Sequence, residues 1–113
     1  MQGYCKGVTV YIQIYDGRQR DEVRSYREPW RTMGANVPPI EDVTESARRS
    51  NRPVPLPVRK TTVRFHDEAS IACATALGPV LGFKDWKVEP LSSRLKGVSR
   101  TVEVWVAPPP SGK

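Results

Sequence analysis

The patterning of this 113-residue chain predicts an α+β fold: a two-layer sandwich with a mainly antiparallel sheet of about four to five strands and one principal helix on one face. Three observations carry the prediction. Gly7 to Tyr15 and Arg100 to Ala107 alternate apolar and polar side chains with a period of two, as half-buried strands do. Asp67 to about Gly78 is an apolar, alanine-rich run that opens on an N-capping residue and closes on Gly-Pro, which reads as a helix. Finally, Thr61 to Ala107 runs strand, helix, strand, strand, and strands with one apolar side need a covering layer. The length fits one domain over 1–113, with a Pro-rich excursion at 30–57 and a flexible tail at 108–113.

In chain order, the first strand places Val8, Val10, Ile12 and Ile14 on one side and Thr9, Tyr11, Gln13 and Tyr15 on the other. Asp16-Gly17 then supplies the chemistry of a tight hairpin turn. Arg18 to Glu28 is mostly polar and runs into Pro29, which reads as a polar return strand or arm even though Val23, Tyr26 and Trp30 have helical spacing. A short second helix is expected at about 39–49, with Glu41 and Asp42 at its positive end and Arg48 and Arg49 at its negative end. Pro53, Pro55 and Pro57 force their neighbours out of the helical region, so Arg52 to Pro57 reads as an extended connector. Its proline spacing departs from PxxP, which leaves little for a proline-recognition domain to hold.

Thr61, Val63 and Phe65 face one way on the next strand, and Lys60, Thr62, Arg64 and His66 the other. The helix at about 67–78 is apolar nearly all round, so cover on more than one side is expected. Trp86 to Leu91 and Arg100 to Ala107 read as strands joined by a polar hairpin that carries Arg94 and Lys96 into solvent.

Several function classes are excluded by what is missing. Cys5, Cys73 and the single His66 cannot supply the four ligands of a structural zinc site, and the cysteines read as reduced and structural. No metal and no cofactor is expected; phosphate-loop, dinucleotide and nucleophile-elbow signatures are absent. No apolar run reaches the roughly 18 residues of a membrane span, and the first residues lack a signal-like apolar stretch. A cytoplasmic protein without membrane contact is expected, or a nucleoid or nuclear one when bound to nucleic acid.

With a formal charge of +6, the partners to consider are phosphates and acidic proteins. If the aliphatic strand sides face the helix, the other sheet face displays Tyr11, Tyr15, Lys60, Arg64, His66 and Trp105, with Arg18 and Arg20 in the arm and Arg94 and Lys96 at the tip extending a basic track. Interleaved cations and aromatic rings suit single-stranded RNA or DNA. The leading expectation is therefore a small basic nucleic-acid-binding protein using those residues. The alternative is a non-enzymatic interaction module that docks on an acidic partner or forms a homodimer, a build shared by motif-free inhibitors and virion proteins of phages and other mobile elements. A ribonuclease using Arg64, His66 and Glu103 has the least support, since no motif accompanies these residues.

Overall fold

The computed structural model describes residues 3–92 and 94–109. Of the tail expected at 108–113, residues 110–113 lie outside that range. The strands are β1 (Thr9–Ile14), β2 (Glu41–Asp42), β3 (Thr62–Phe65), β4 (Lys87–Pro90) and β5 (Thr101–Trp105). The helices are α1 (Arg20–Arg24), α2 (Arg27–Thr32), α3 (Val43–Arg49) and α4 (Ile71–Val80). The α+β class with one main helix holds.

The sheet has the order β2-β1-β5-β3-β4 and is mixed, not mainly antiparallel. β1 pairs in parallel with β2 and β5, and β3 in parallel with β4; only β3 and β5 are antiparallel. The expected hairpin between the last two strands does not exist, because α4 carries the chain back over the sheet. β4 therefore runs alongside β3, and residues 91–100 cross to the other side of β3 before β5 begins. β5 ends up central, with Val102 and Val104 fully buried.

The segment expected as a polar arm is helical. Asp16 does not start a hairpin turn; it N-caps a 3-10 turn at Gly17–Gln19, accepting from the Arg18 amide while the Gln19 side chain accepts from the Asp16 amide. Gln19 is itself buried, and its Nε2 donates to the Val106 carbonyl at 3.1 Å, tying the turn to the sheet. Pro29 is the third residue of α2, where a missing N–H costs nothing because first-turn amides have no intrahelical partner. The helical spacing of Val23, Tyr26 and Trp30 was the informative signal, and all three are buried. Trp30 donates from Nε1 to the Leu77 carbonyl at 3.1 Å, locking α2 to α4.

Val10, Ile12, Ile14, Val63, Val102 and Val104 meet α1, α2 and α4 in a single core. At its margin Tyr26, Trp30, Phe83 and Trp86 form an aromatic cluster, with Phe83 and Trp86 stacked at 5.1 Å. The second helix is shorter than the expected 39–49: Glu41 and Asp42 pair with β1 as a strand, and Asp42 then caps α3 by accepting from the Glu45 amide at 3.0 Å.

Helix α4 passes through Pro79 to Val80 instead of stopping at Gly78. It ends in a Schellman motif: Phe83 N–H donates to the Gly78 carbonyl and Gly82 N–H to the Pro79 carbonyl. Gly82 supplies the required positive φ of 90°. The helix is not covered all round. Cys73, Ala74 and Leu77 are buried, whereas Ile71, Thr75 and Pro79, one turn apart, are exposed. Asp67 occupies the N-cap position of the preceding 3-10 turn, but its carboxylate accepts from the Ser70 hydroxyl and the Arg100 amide, not from a first-turn amide.

The cysteines are not reduced. Cys5 and Cys73, both fully buried, form a disulfide across 68 positions of sequence that joins the chain before β1 to α4. Among the described residues, no helix is long and apolar enough to cross a membrane.

Candidate functional site

The sheet face turned away from the main core carries side chains in rows fixed by strand register. One row crosses the sheet as Tyr11, Glu103, Arg64 and Glu89; the next holds Gln13, Trp105, Thr62 and Lys87. Opposite charges sit side by side in these rows and pair. Arg64 Nε lies 3.0 Å from Glu89 Oε2, and Lys87 Nζ 3.1 Å from Glu89 Oε1. The hydrogen bond from Arg64 is the main reason the Glu89 carboxyl is held below its ordinary range, with Lys87 assisting against partial burial. The Arg64 guanidinium also sits over the Trp105 ring, 5.7 Å from its centroid.

Glu103 is the hub of the other half of the face. It accepts from Trp105 Nε1 at 2.9 Å and contacts His66 Nε2 at 2.8 Å. The other ring nitrogen of His66, Nδ1, accepts from the Val98 amide at 3.0 Å, so the hydrogen-bond network assigns the proton to Nε2. The His66 side chain is only 6% exposed. Arg64, His66 and Glu103 do meet, but both imidazole nitrogens are engaged within the protein, and Arg64 is engaged by Glu89. The crossing loop lies directly on His66: a Cβ at Gly97 would stand 2.9 Å from the His66 carbonyl oxygen.

The ten nominated residues are not brought together as one platform. Tyr15 is 7% exposed, and burial raises its phenol above the ordinary value against a weaker opposing hydrogen bond with the Val58 backbone. Val43 and Ala47 of α3 are also buried outside the main core, and Thr44 Oγ1 donates to the Tyr15 carbonyl at 2.6 Å, so α3 packs at that end of β1. Tyr11 is 42% exposed, and Trp105 is partly covered and packs against Tyr15 in a tilted arrangement at a 6.0 Å centroid distance. Arg18 is paired with Asp16, whose carboxyl the Arg18 hydrogen bonds lower to about 2, and Arg20 donates to the Ile40 carbonyl at 3.3 Å. Lys60, Arg94 and Lys96 are exposed on loops. A cleft of about 370 Å³ lined by Arg64, Glu89, Pro90, Leu91, Ser92 and Leu95 opens beside this face.

The cationic surplus lies elsewhere. Between Glu45 and Asp67 the chain carries Arg48, Arg49, Arg52, Arg59, Lys60 and Arg64 and no carboxylate, which equals the whole formal excess of +6. All but Arg64 are exposed, and none of those five takes part in an ion pair among the described residues. Within the same stretch Val54 is 46% and Leu56 89% exposed. The signal that joins Arg48-Arg49 to Arg59-Lys60 is the long interval without an acid. Among the described residues, no cluster of three or more His, Cys, Asp or Glu side chains is placed to hold a metal ion. No protein-family model, curated protein or solved structure matches the chain.

Proposed function

We propose that this protein is a non-enzymatic interaction module that docks on an acidic protein through the exposed segment from Arg48 to Lys60. The observation that carries the reading is the coincidence, in one proline-stiffened stretch, of five exposed cations with no ion pair among the described residues and the exposed apolar side chains Val54 and Leu56. Apolar contact supplies affinity, and complementary charge supplies steering and partner choice. The disulfide supports the same reading. Disulfides persist in oxidising compartments and are rare in the reducing cytosol, which favours a setting like that of secreted and envelope proteins, away from most nucleic acid. A second copy is a poor partner at this segment, because each chain brings the same positive excess.

Nucleic-acid binding is the second reading, favoured by exposed Tyr11 and by Arg94 and Lys96 on the crossing loop. Its sheet platform has weaker support, since the charges there are paired and Tyr15 is covered. Fluorescence anisotropy of the oxidised full-length chain with labelled poly-L-glutamate and with labelled oligothymidylate separates the two. The docking reading expects salt-sensitive polyglutamate binding that falls at least tenfold when Arg48, Arg49, Arg52, Arg59 and Lys60 are all replaced by Gln. Preference for oligothymidylate, with loss on Tyr11→Ala, would establish the second reading instead.

A further inference from the structure

We infer that Pro53 to Val58 is a docking strand with one usable edge, which adds to the open sheet edge of an acidic partner protein. The inference rests on the docking reading above and specifies how the contact is made.

Proline fixes φ near −65° and drives the preceding residue into the extended region, so prolines at 53, 55 and 57 hold the whole stretch extended in the absence of any neighbour. In an extended chain the N–H and C=O groups of alternate residues point to opposite edges. The three prolines therefore strip every donor from one edge. The N–H groups of Val54, Leu56 and Val58 all point to the other, each beside its own carbonyl. Among the described residues the Val54 and Leu56 amides have no hydrogen-bond partner, whereas the Val58 backbone is held by the Tyr15 phenol, and no part of 53–58 belongs to the sheet. Proline occurs in sheets on edge strands with its missing N–H turned to solvent, which is the geometry a strand of this kind would adopt on a partner.

Side chains alternate with the same period. Arg52, Val54, Leu56 and Val58 fall on one face of the added strand, and Arg59 and Lys60 follow where the chain bends, so an apolar centre has cations at both ends. That arrangement fits a partner edge with an apolar notch for Leu56 and carboxylates at its ends. Charge complementarity selects an acidic protein over a second copy of this chain. The donorless edge has a further effect: once docked, the strand offers a third strand only the proline carbonyls and no donors, which disfavours further addition. Main-chain hydrogen bonds of this kind give affinity with little demand on the partner's sequence, and the Leu56 pocket adds the selectivity.

The test uses the oxidised full-length protein and two acidic probes, a peptide of alternating Glu and Val that favours strands and poly-L-glutamate that does not, with oligothymidylate as the third arm. The expected result is tighter binding of the alternating peptide. Val54→Pro, which deletes one donor from the working edge, should weaken it roughly threefold to tenfold beyond the loss caused by Val54→Ala, the range expected for one hydrogen bond. Hydrogen exchange should show the Val54 and Leu56 amides gaining protection on binding. Equal affinity for the two acidic probes, identical losses for Val54→Pro and Val54→Ala, and unchanged exchange would overturn the strand mode while leaving charge-driven docking intact. No binding of either acidic probe, or stronger binding of oligothymidylate, would overturn both.

Discussion

Replacing Cys5 and Cys73 together by alanine tests the central tie of the fold. The disulfide closes a loop across 68 positions. In the chain-entropy description, removing such a closure frees the unfolded chain by 2.1 + 1.5R ln n cal/mol/K, about 4 kcal/mol at room temperature for a loop of that length. Burial adds to this, because both residues are fully covered and each lost sulfur leaves a small void in the packing. For a chain of 113 residues, unfolding entropy near the midpoint converts 4 kcal/mol into a fall in Tm of roughly 15 °C. The assay is urea denaturation of the oxidised protein, the reduced protein and the double variant, followed by tryptophan fluorescence, with intact mass establishing that the oxidised form lacks two hydrogens. The variant and the reduced protein should share a lowered midpoint. A difference below about 1 kcal/mol, well under what a loop of this length is worth, or two titratable thiols in protein prepared under oxidising conditions, would refute the reasoning.

Further outcomes follow from single contacts. Trp30→Phe keeps an aromatic ring but removes the donor to the Leu77 carbonyl, and should cost about 1–3 kcal/mol in urea denaturation because a buried acceptor loses its partner. Burial, helped by the nearby Glu22 carboxylate, pushes the Tyr26 phenol up to about 12 from 10.0. Since the folded state favours the neutral phenol, its contribution is complete below pH 10 and lost as pH rises toward about 12. Tyr26→Phe should flatten the alkaline arm of the stability profile. In the opposite direction, the Asp16, Asp67 and Glu89 carboxyls are all lowered, chiefly by hydrogen bonds from Arg18, Ser70 and Arg64 respectively. Their contribution is complete above about pH 5 and drains as pH falls through the lowered folded values. Arg64→Gln should make the acid arm shallower by returning Glu89 toward its ordinary range, which a carboxyl titration by NMR would show.

Strands β1, β3, β4 and β5 and the main helix were legible because period and capping chemistry are local properties, whereas the exposed side of α4 and the short strand β2 were not. Val102, Val104 and Val106 announce β5 in any context. Which strands become neighbours is not local. Nothing in Trp86 to Leu91 says that β3, separated from β4 by a helix, will take the place beside β5 that a hairpin partner would have occupied. Pro29 hid α2 because a proline excludes a helix interior but not a first turn, and the distinction depends on where the helix begins. The disulfide was illegible for a similar reason: two cysteines 68 positions apart become partners only after α4 is laid against the start of β1. At the site, sequence alternation correctly put Arg64, His66, Glu103 and Trp105 on one face. It could not show that Arg64 would be engaged by Glu89 and His66 by Glu103, leaving the exposed cations between Arg48 and Lys60.

The strand order gives β5 a role that its late place in the chain conceals. Among the described residues β1 with β2, and β3 with β4, are separate parallel pairs with no ladder between them, and β5 bridges the two. During synthesis the two halves emerge first, each with an edge left unpaired, joined by the connector from Ser50 to Thr61 and, once oxidised, by the disulfide. The sheet is completed only when the last strand slides into the gap like a keystone. A chain stopped before Thr101 would thus hold two half-sheets with facing open edges, a form prone to exchange strands with other copies of itself.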